Sequence, residues 1–84
     1  MTAKIQEHER AVVTRDFPDL GLVAGDVGVV VHIHRKPGDS EPVGYMLELF
    51  SVDGESLREE SVPADAIRPV AVNDLMHARA AAAE

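Results

Sequence analysis

The chain of 84 residues is 45% hydrophobic with three aromatics, carries a formal charge of -7 and has no cysteine. Such a chain has material for one small aliphatic core and none for disulfides, thiolate metal sites, iron–sulfur clusters or cysteine nucleophiles. The excess of acid repels nucleic-acid phosphates and anionic membranes, the opening MTAKIQEHER is too polar for a secretory signal, and no apolar run approaches the roughly 18 residues that cross a bilayer, so a soluble cytoplasmic protein is expected.

Residues 1–8 are polar and aperiodic and read as a flexible lead-in. Glu9 to Arg15, ERAVVTR, is a short strand with β-branched residues at its centre. DFPDLG then leaves the ladder, because Pro18 has no amide to donate and Asp19 and Gly21 supply turn chemistry. A tight turn at Gly25-Asp26 feeds a strand over Val27 to Arg35. Its alternation puts Val27, Val29, Val31 and Ile33 on the core face and Gly28, Val30, His32 and His34 on the other. KPGDSEP is an exposed connection to a third strand, Val43 to Ser51. Asp53-Gly54 is a hairpin signal, since glycine tolerates the positive φ of such a turn. A polar fourth strand, SLREESV, is anchored by Leu57 and Val62. PADA gives one 3-10 turn before a short strand, Ile67 to Val70, where Pro69 suits a sheet edge. NDLMHARAAAAE, with Asn73 as N-cap and Asp74 in the first turn, predicts a C-terminal α-helix that needs contacts through Leu75 and Met76 to persist.

These elements predict a mainly β protein: a small five-stranded SH3-like barrel over residues 9–70 and a C-terminal α-helix over 71–84, which could also join two copies in a homo-oligomer. The series FPDLGLVAGDVGVVV, an apolar strand, Asp53-Gly54, a polar strand and VPADAIRPV resembles the short bacterial family catalogued as domain of unknown function 4926. The resemblance covers roughly Glu9 to Val70, and its best motif is Gly21-Leu22 followed by Gly25-Asp26-x-Gly28-x-Val30-Val31. HRKPGDSEPV is longer than the family pattern, and the C-terminal helix lies outside it. A broader likeness extends to KOW-type barrels and to the SH3-like domain of the nitrile hydratase β subunit. These resemblances imply a fold and supply no activity or site.

The glycines of GLVAGDVG suggest a phosphate cradle, but such loops hand their amides to a helix N-terminus and usually bring a Lys or Arg, whereas this one enters a strand and carries Asp26. Gly21, Gly25, Asp26, Gly28, Asp53 and Gly54 are therefore read as structural turn residues. His32 and His34, two apart on one strand, could share a metal ion with Glu48 of the next strand; the ordinary reading is a pair of solvent-facing histidines beside an acid. Tyr45, Met46 and Phe50 are too few for a peptide-stacking platform and read mostly as core. Acid pairs such as Asp16/Asp19, Glu48/Asp53 and Glu59/Glu60 orient no nucleophile. No catalytic residue, metal or cofactor is expected. The leading reading is a non-enzymatic cytosolic interaction module with an acidic surface, of which an immunity or antitoxin-like member of a two-gene system is one form. Its unidentified partner is a protein, preferably basic, and not nucleic acid or a membrane. The candidate surfaces are the loop with Asp16 and Asp19 and the hairpin side with Glu55, Glu59 and Glu60. The alternatives are an accessory domain or subunit of an enzyme, and a metal-binding protein using His32 and His34.

Overall fold

The computed structural model of the protein describes residues 5–80. Five strands form one antiparallel sheet: β1 (Arg10–Val13), β2 (Val27–Arg35), β3 (Pro42–Phe50), β4 (Ser56–Pro63) and β5 (Ile67–Pro69), in the order β4-β3-β2-β1-β5. One 3-10 turn, Pro18–Leu20, lies between β1 and β2, and another, Ala64–Ala66, between β4 and β5. The mainly β class and the five strands agree with expectation, but the sheet stays open and does not close into the expected SH3-like barrel. The three residues of β5 are taken up in pairing with β1, Ala11 opposite Pro69 and Val13 opposite Ile67, which leaves β4 and β5 as the two edges.

All five strands nevertheless feed one core. Ala11 and Val13 of β1, Val30 of β2, Tyr45, Leu47 and Leu49 of β3, Val62 of β4 and Ile67 of β5 pack together with Leu22 and Ile5. The segment from Phe17 to Leu22 folds over this face, Phe17 bridging to Leu22 and Leu22 being buried. Arg58 of edge strand β4 donates to the Gly21 carbonyl and so ties that edge to the covering segment. An inward-pointing ion pair between Arg58 and Glu60 also blunts the edge against pairing with another chain.

Two expectations about the core are corrected. First, β2 presents Gly28 and Val30 to the core, not Val27, Val29 and Val31, because its register passes from Val30 opposite Leu47 to His32 opposite Met46. Val31 is thus a bulge, two residues facing one, and it reverses the alternation so that Ile33 packs on the core as expected. Gly28 is needed on that face: a Cβ there would lie 3.0 Å from the Leu47 Cβ and 3.2 Å from the Glu48 carbonyl oxygen. Second, residues 5–8 are not a loose lead-in. Ile5 is buried in the core cluster, and the His8 amide donates to the Val30 carbonyl; residues 1–4 lie outside the described part.

The C-terminal α-helix is absent: residues 71–80 hold no helix, and residues 81–84 lie outside the described part. After a turn at Val72-Asn73 the segment has no regular secondary structure and is held by ion pairs, one to Arg68 of β5 and two to Asp26. Asp74 takes two hydrogen bonds of 2.8 Å from Arg68 and a third from the Ala71 amide. His77 and Arg79 both reach Asp26. Residues two apart lie on one side of an extended chain, whereas a helix turns them some 200° away from each other, so this pair of contacts and a helix are incompatible. Leu75 and Met76, expected as helix contacts, are exposed.

Candidate functional site

The turn between β1 and β2 is built from its own sequence. Gly25 adopts φ +100, the Asp26 amide donates to the Val23 carbonyl, and the Val23 amide donates back to an Asp26 carboxylate oxygen at 2.9 Å. The same Asp26 carboxylate receives His77 Nε2 at 2.9 Å and Arg79 Nε at 2.9 Å, and Arg79 Nη2 also donates to the Gly21 carbonyl. Partial burial opposes ionisation of Asp26, but the hydrogen bonds from Arg79, the Val23 amide and His77 outweigh it and hold its carboxyl below the usual carboxylate range. The imidazole of His77 lies against Gly25, where a Cβ would stand 3.2 Å from its Cε1 atom. Asp26 is therefore more than the turn residue expected from sequence, and His77 and Arg79 were not singled out at all. The one local signal is the spacing His77-x-Arg79, which brings two nitrogen donors to the same side of an extended chain.

Between this tail and the β3–β4 hairpin runs an open groove lined by Val27, Val29, Phe50, Leu57, Met76 and Arg79 among others. The hairpin connection has Gly54 at φ +93, with the Gly54 amide donating to the Ser51 carbonyl and the Glu55 amide to the Ser51 hydroxyl. It exposes Val52 at 86%, and the strands beside it expose Phe50 at 41% and Leu57 at 50%, which corrects the expectation that Phe50 is core and that Leu57 anchors β4. Leu57 is thrust out by a bulge, since Leu49 pairs with Arg58 but Phe50 with Ser56.

The acids expected to form one surface are divided between two faces. Glu59 lies on the outer face directly opposite Glu48 of β3, and the Ser56 hydroxyl donates to Glu48 at 2.6 Å. Glu60 lies opposite the fully buried Leu47, on the core side, and pairs with Arg58. Glu55 and Asp53 are exposed on the hairpin connection. Asp16 accepts a hydrogen bond from the Ala24 amide and braces the covering loop, while Asp19 is exposed in the first 3-10 turn. His32 and His34 do share the outer face with Met46 and Glu48. Their rings meet edge to face at 4.9 Å, and His34 Nε2 hydrogen-bonds the Ser61 hydroxyl. Among the described residues no group of three His, Cys, Asp or Glu side chains is placed to hold a metal ion. No helix of the described part is long and apolar enough to cross a membrane.

The chain belongs to the family described as Domain of unknown function (DUF4926), which matches residues 7–69. The match takes in all five strands and the Gly21 to Gly28 turn, and it ends before Asp74, His77 and Arg79. No curated protein and no solved structure is significantly similar to the chain.

Proposed function

We propose that the protein is a non-catalytic interaction module that receives a basic segment of a partner protein along the outer face of the β3–β4 hairpin. The observation that carries this reading is the cross-strand pair Glu48 and Glu59, two acids directly opposite each other beside exposed Phe50 and Leu57. Like charges so placed destabilise a sheet on their own; a partner's Lys or Arg relieves the repulsion while its apolar neighbours cover Phe50 and Leu57. Titratable groups that line the groove are already engaged in holding the fold, Asp26 by the Val23 amide and the tail, and Arg58 by the Gly21 carbonyl. That use supports a binding role over acid-base chemistry. The cysteine-free composition supports a cytoplasmic setting.

The test is capture from the native cell on immobilised wild-type chain and on the variant Glu48→Lys/Glu59→Lys, with Phe50→Ser as a second probe of the same face. Retention of one protein by wild type and its loss on both variants, each with an unchanged thermal transition, is the expected result. Equal retention on all three would remove the hairpin from the binding surface, and turnover of a small molecule by the purified chain would replace the reading with an enzyme.

A further inference from the structure

The Asp26 carboxylate and the Gly21 carbonyl form a three-acceptor array that faces the tail from the β1–β2 turn. Arg79 fits it as a planar fork, Nε on Asp26 Oδ1 at 2.9 Å and Nη2 on Asp26 Oδ2 at 2.5 Å and on the Gly21 oxygen at 2.9 Å. This two-pronged geometry suits a guanidinium and not the single point charge of a lysine. The acceptors are held in place without any help from the tail. The Val23 amide fixes one carboxylate oxygen, the Asp26 carbonyl accepts from the Val13 amide of β1, and the Gly21 amide is bonded to the Pro18 carbonyl, with Arg58 on the Gly21 carbonyl as well. Every one of those supports lies within the family match, whereas the arginine that fills the array lies beyond it.

The tail, in contrast, is a poorly committed occupant. Its two large apolar residues, Leu75 and Met76, are 93% and 67% exposed, and it is fastened by charged contacts at Asp74, His77 and Arg79. A ligand anchored this way is displaceable by one that adds apolar contact, and the surface for such contact adjoins the array: Val27, Val29, Phe50 and Leu57 line the same groove.

We propose that Asp26 and the Gly21 carbonyl form an arginine-binding site that the chain fills with its own Arg79, and that an arginine on an extended segment of a partner protein takes the place of Arg79. The partner half of this inference rests on the interaction reading above and gives it a specific anchor; the site itself does not. A tail tethered a few residues away competes at an effective concentration on the order of millimolar. An incoming segment therefore meets a mostly occupied site, and its apparent affinity falls by the fraction of time the site is open.

The experiment is a nitrogen-15 NMR titration of the full chain, wild type and Arg79→Ala, with the capped peptide acetyl-Met-His-Ala-Arg-Ala-amide. The same peptide with citrulline for arginine, equal in shape and uncharged, is the control. In Arg79→Ala the amides of residues 21–26 shift with a midpoint at least tenfold lower than in wild type, and the citrulline peptide moves them in neither protein. Equal midpoints in the two proteins, or citrulline acting as well as arginine, would overturn the proposal. The titration coming out as expected while no partner is retained by the wild-type chain would leave the arginine site standing and remove the interaction reading. Partner capture that depends on Glu48 and Glu59 with no arginine-selective titration would do the reverse.

Discussion

Gly28→Ala is the sharpest test of the register, because the two arrangements of β2 predict opposite signs. If simple alternation held from Val27 to Ile33, Gly28 would face outward, and alanine there would stabilise by about 0.4–1 kcal/mol through a less flexible unfolded chain. With the bulge at Val31, Gly28 faces the core, and the new methyl would meet Leu47 Cβ at 3.0 Å and the Glu48 carbonyl oxygen and Leu49 Cδ2 at 3.2 Å. Two of those three neighbours cannot swing away: one is backbone and one is the first side-chain carbon of a fully buried residue. Overpacking of this kind costs roughly 1–3 kcal/mol. Setting the entropic gain against it leaves a net destabilisation of about 0.5–2 kcal/mol. Urea unfolding followed by circular dichroism reads it directly, with Val30→Ala and Val29→Ala as companions. Val30 is fully buried and Val29 only partly so, hence Val30→Ala must be the more damaging of the two. A neutral or stabilising Gly28→Ala together with a costlier Val29→Ala would show that the bulge is misplaced and that the alternation is unbroken.

The tail should leave the sheet in acid: Asp26 lies below its ordinary value, and Arg68 and the Ala71 amide hold Asp74 at about 2. A depressed carboxylate pKa contributes stability that is complete above the unfolded value of about 4 and is lost as pH falls through the folded value. Amide relaxation at Ala78 and Ala80 is therefore expected to stay constant from pH 7 to about 4 and to show release only below that; release already between pH 6 and 5 would contradict the two anchors. Replacing His32 and His34 together by Gln should change stability by under about 1 kcal/mol, since one is exposed and the other bonds only a surface serine. One equivalent of zinc should leave the melting temperature of the wild type unchanged, and a rise that the double variant lacks would establish a metal site.

The strands and turns could be read from the sequence because they are local events; the open sheet could not, because closure depends on where β5 pairs, and its three residues are taken up by β1. Pro18, Gly25-Asp26, Asp53-Gly54 and PADA punctuate the chain where the structure bends. The bulge was hidden because Val31 is chemically identical to Val29 and Val30 before it, so nothing in the valine run marks the inserted residue. Ile5 was missed as one apolar residue among polar ones, and its burial comes from the core that other strands build. The tail failed for a related reason. The alanines and Asn73 favour a helix locally, but Arg68 and Asp26 offer Asp74, His77 and Arg79 partners that local propensity does not count. Of the candidate sites, the glycines and Asp26 were visible as a turn, while the donors that complete the array lie 51 and 53 residues further along.

Asp26 thus does two things that a pair of substitutions separates. Its carboxylate accepts from the Val23 amide and closes the turn, and it binds the two basic residues of the tail. Asn keeps an oxygen for Val23 but loses the charge and turns one acceptor into a donor facing Arg79, so Asp26→Asn should release the tail and leave the turn intact. Ala loses both functions and strands the Val23 amide, which costs a further ~1 kcal/mol in urea unfolding. The turn is also where Gly25 bonds the Val13 carbonyl and Asp26 accepts from the Val13 amide, so damage there is transmitted to β1 and the core. The expected order of stability is wild type, then Asp26→Asn, then Asp26→Ala, with the tail amides equally mobile in both variants. If Asn and Ala proved equally destabilising, the Val23 contact would carry no weight and Asp26 would act on the tail alone; if the tail stayed ordered in Asp26→Asn, its docking would not depend on the carboxylate charge.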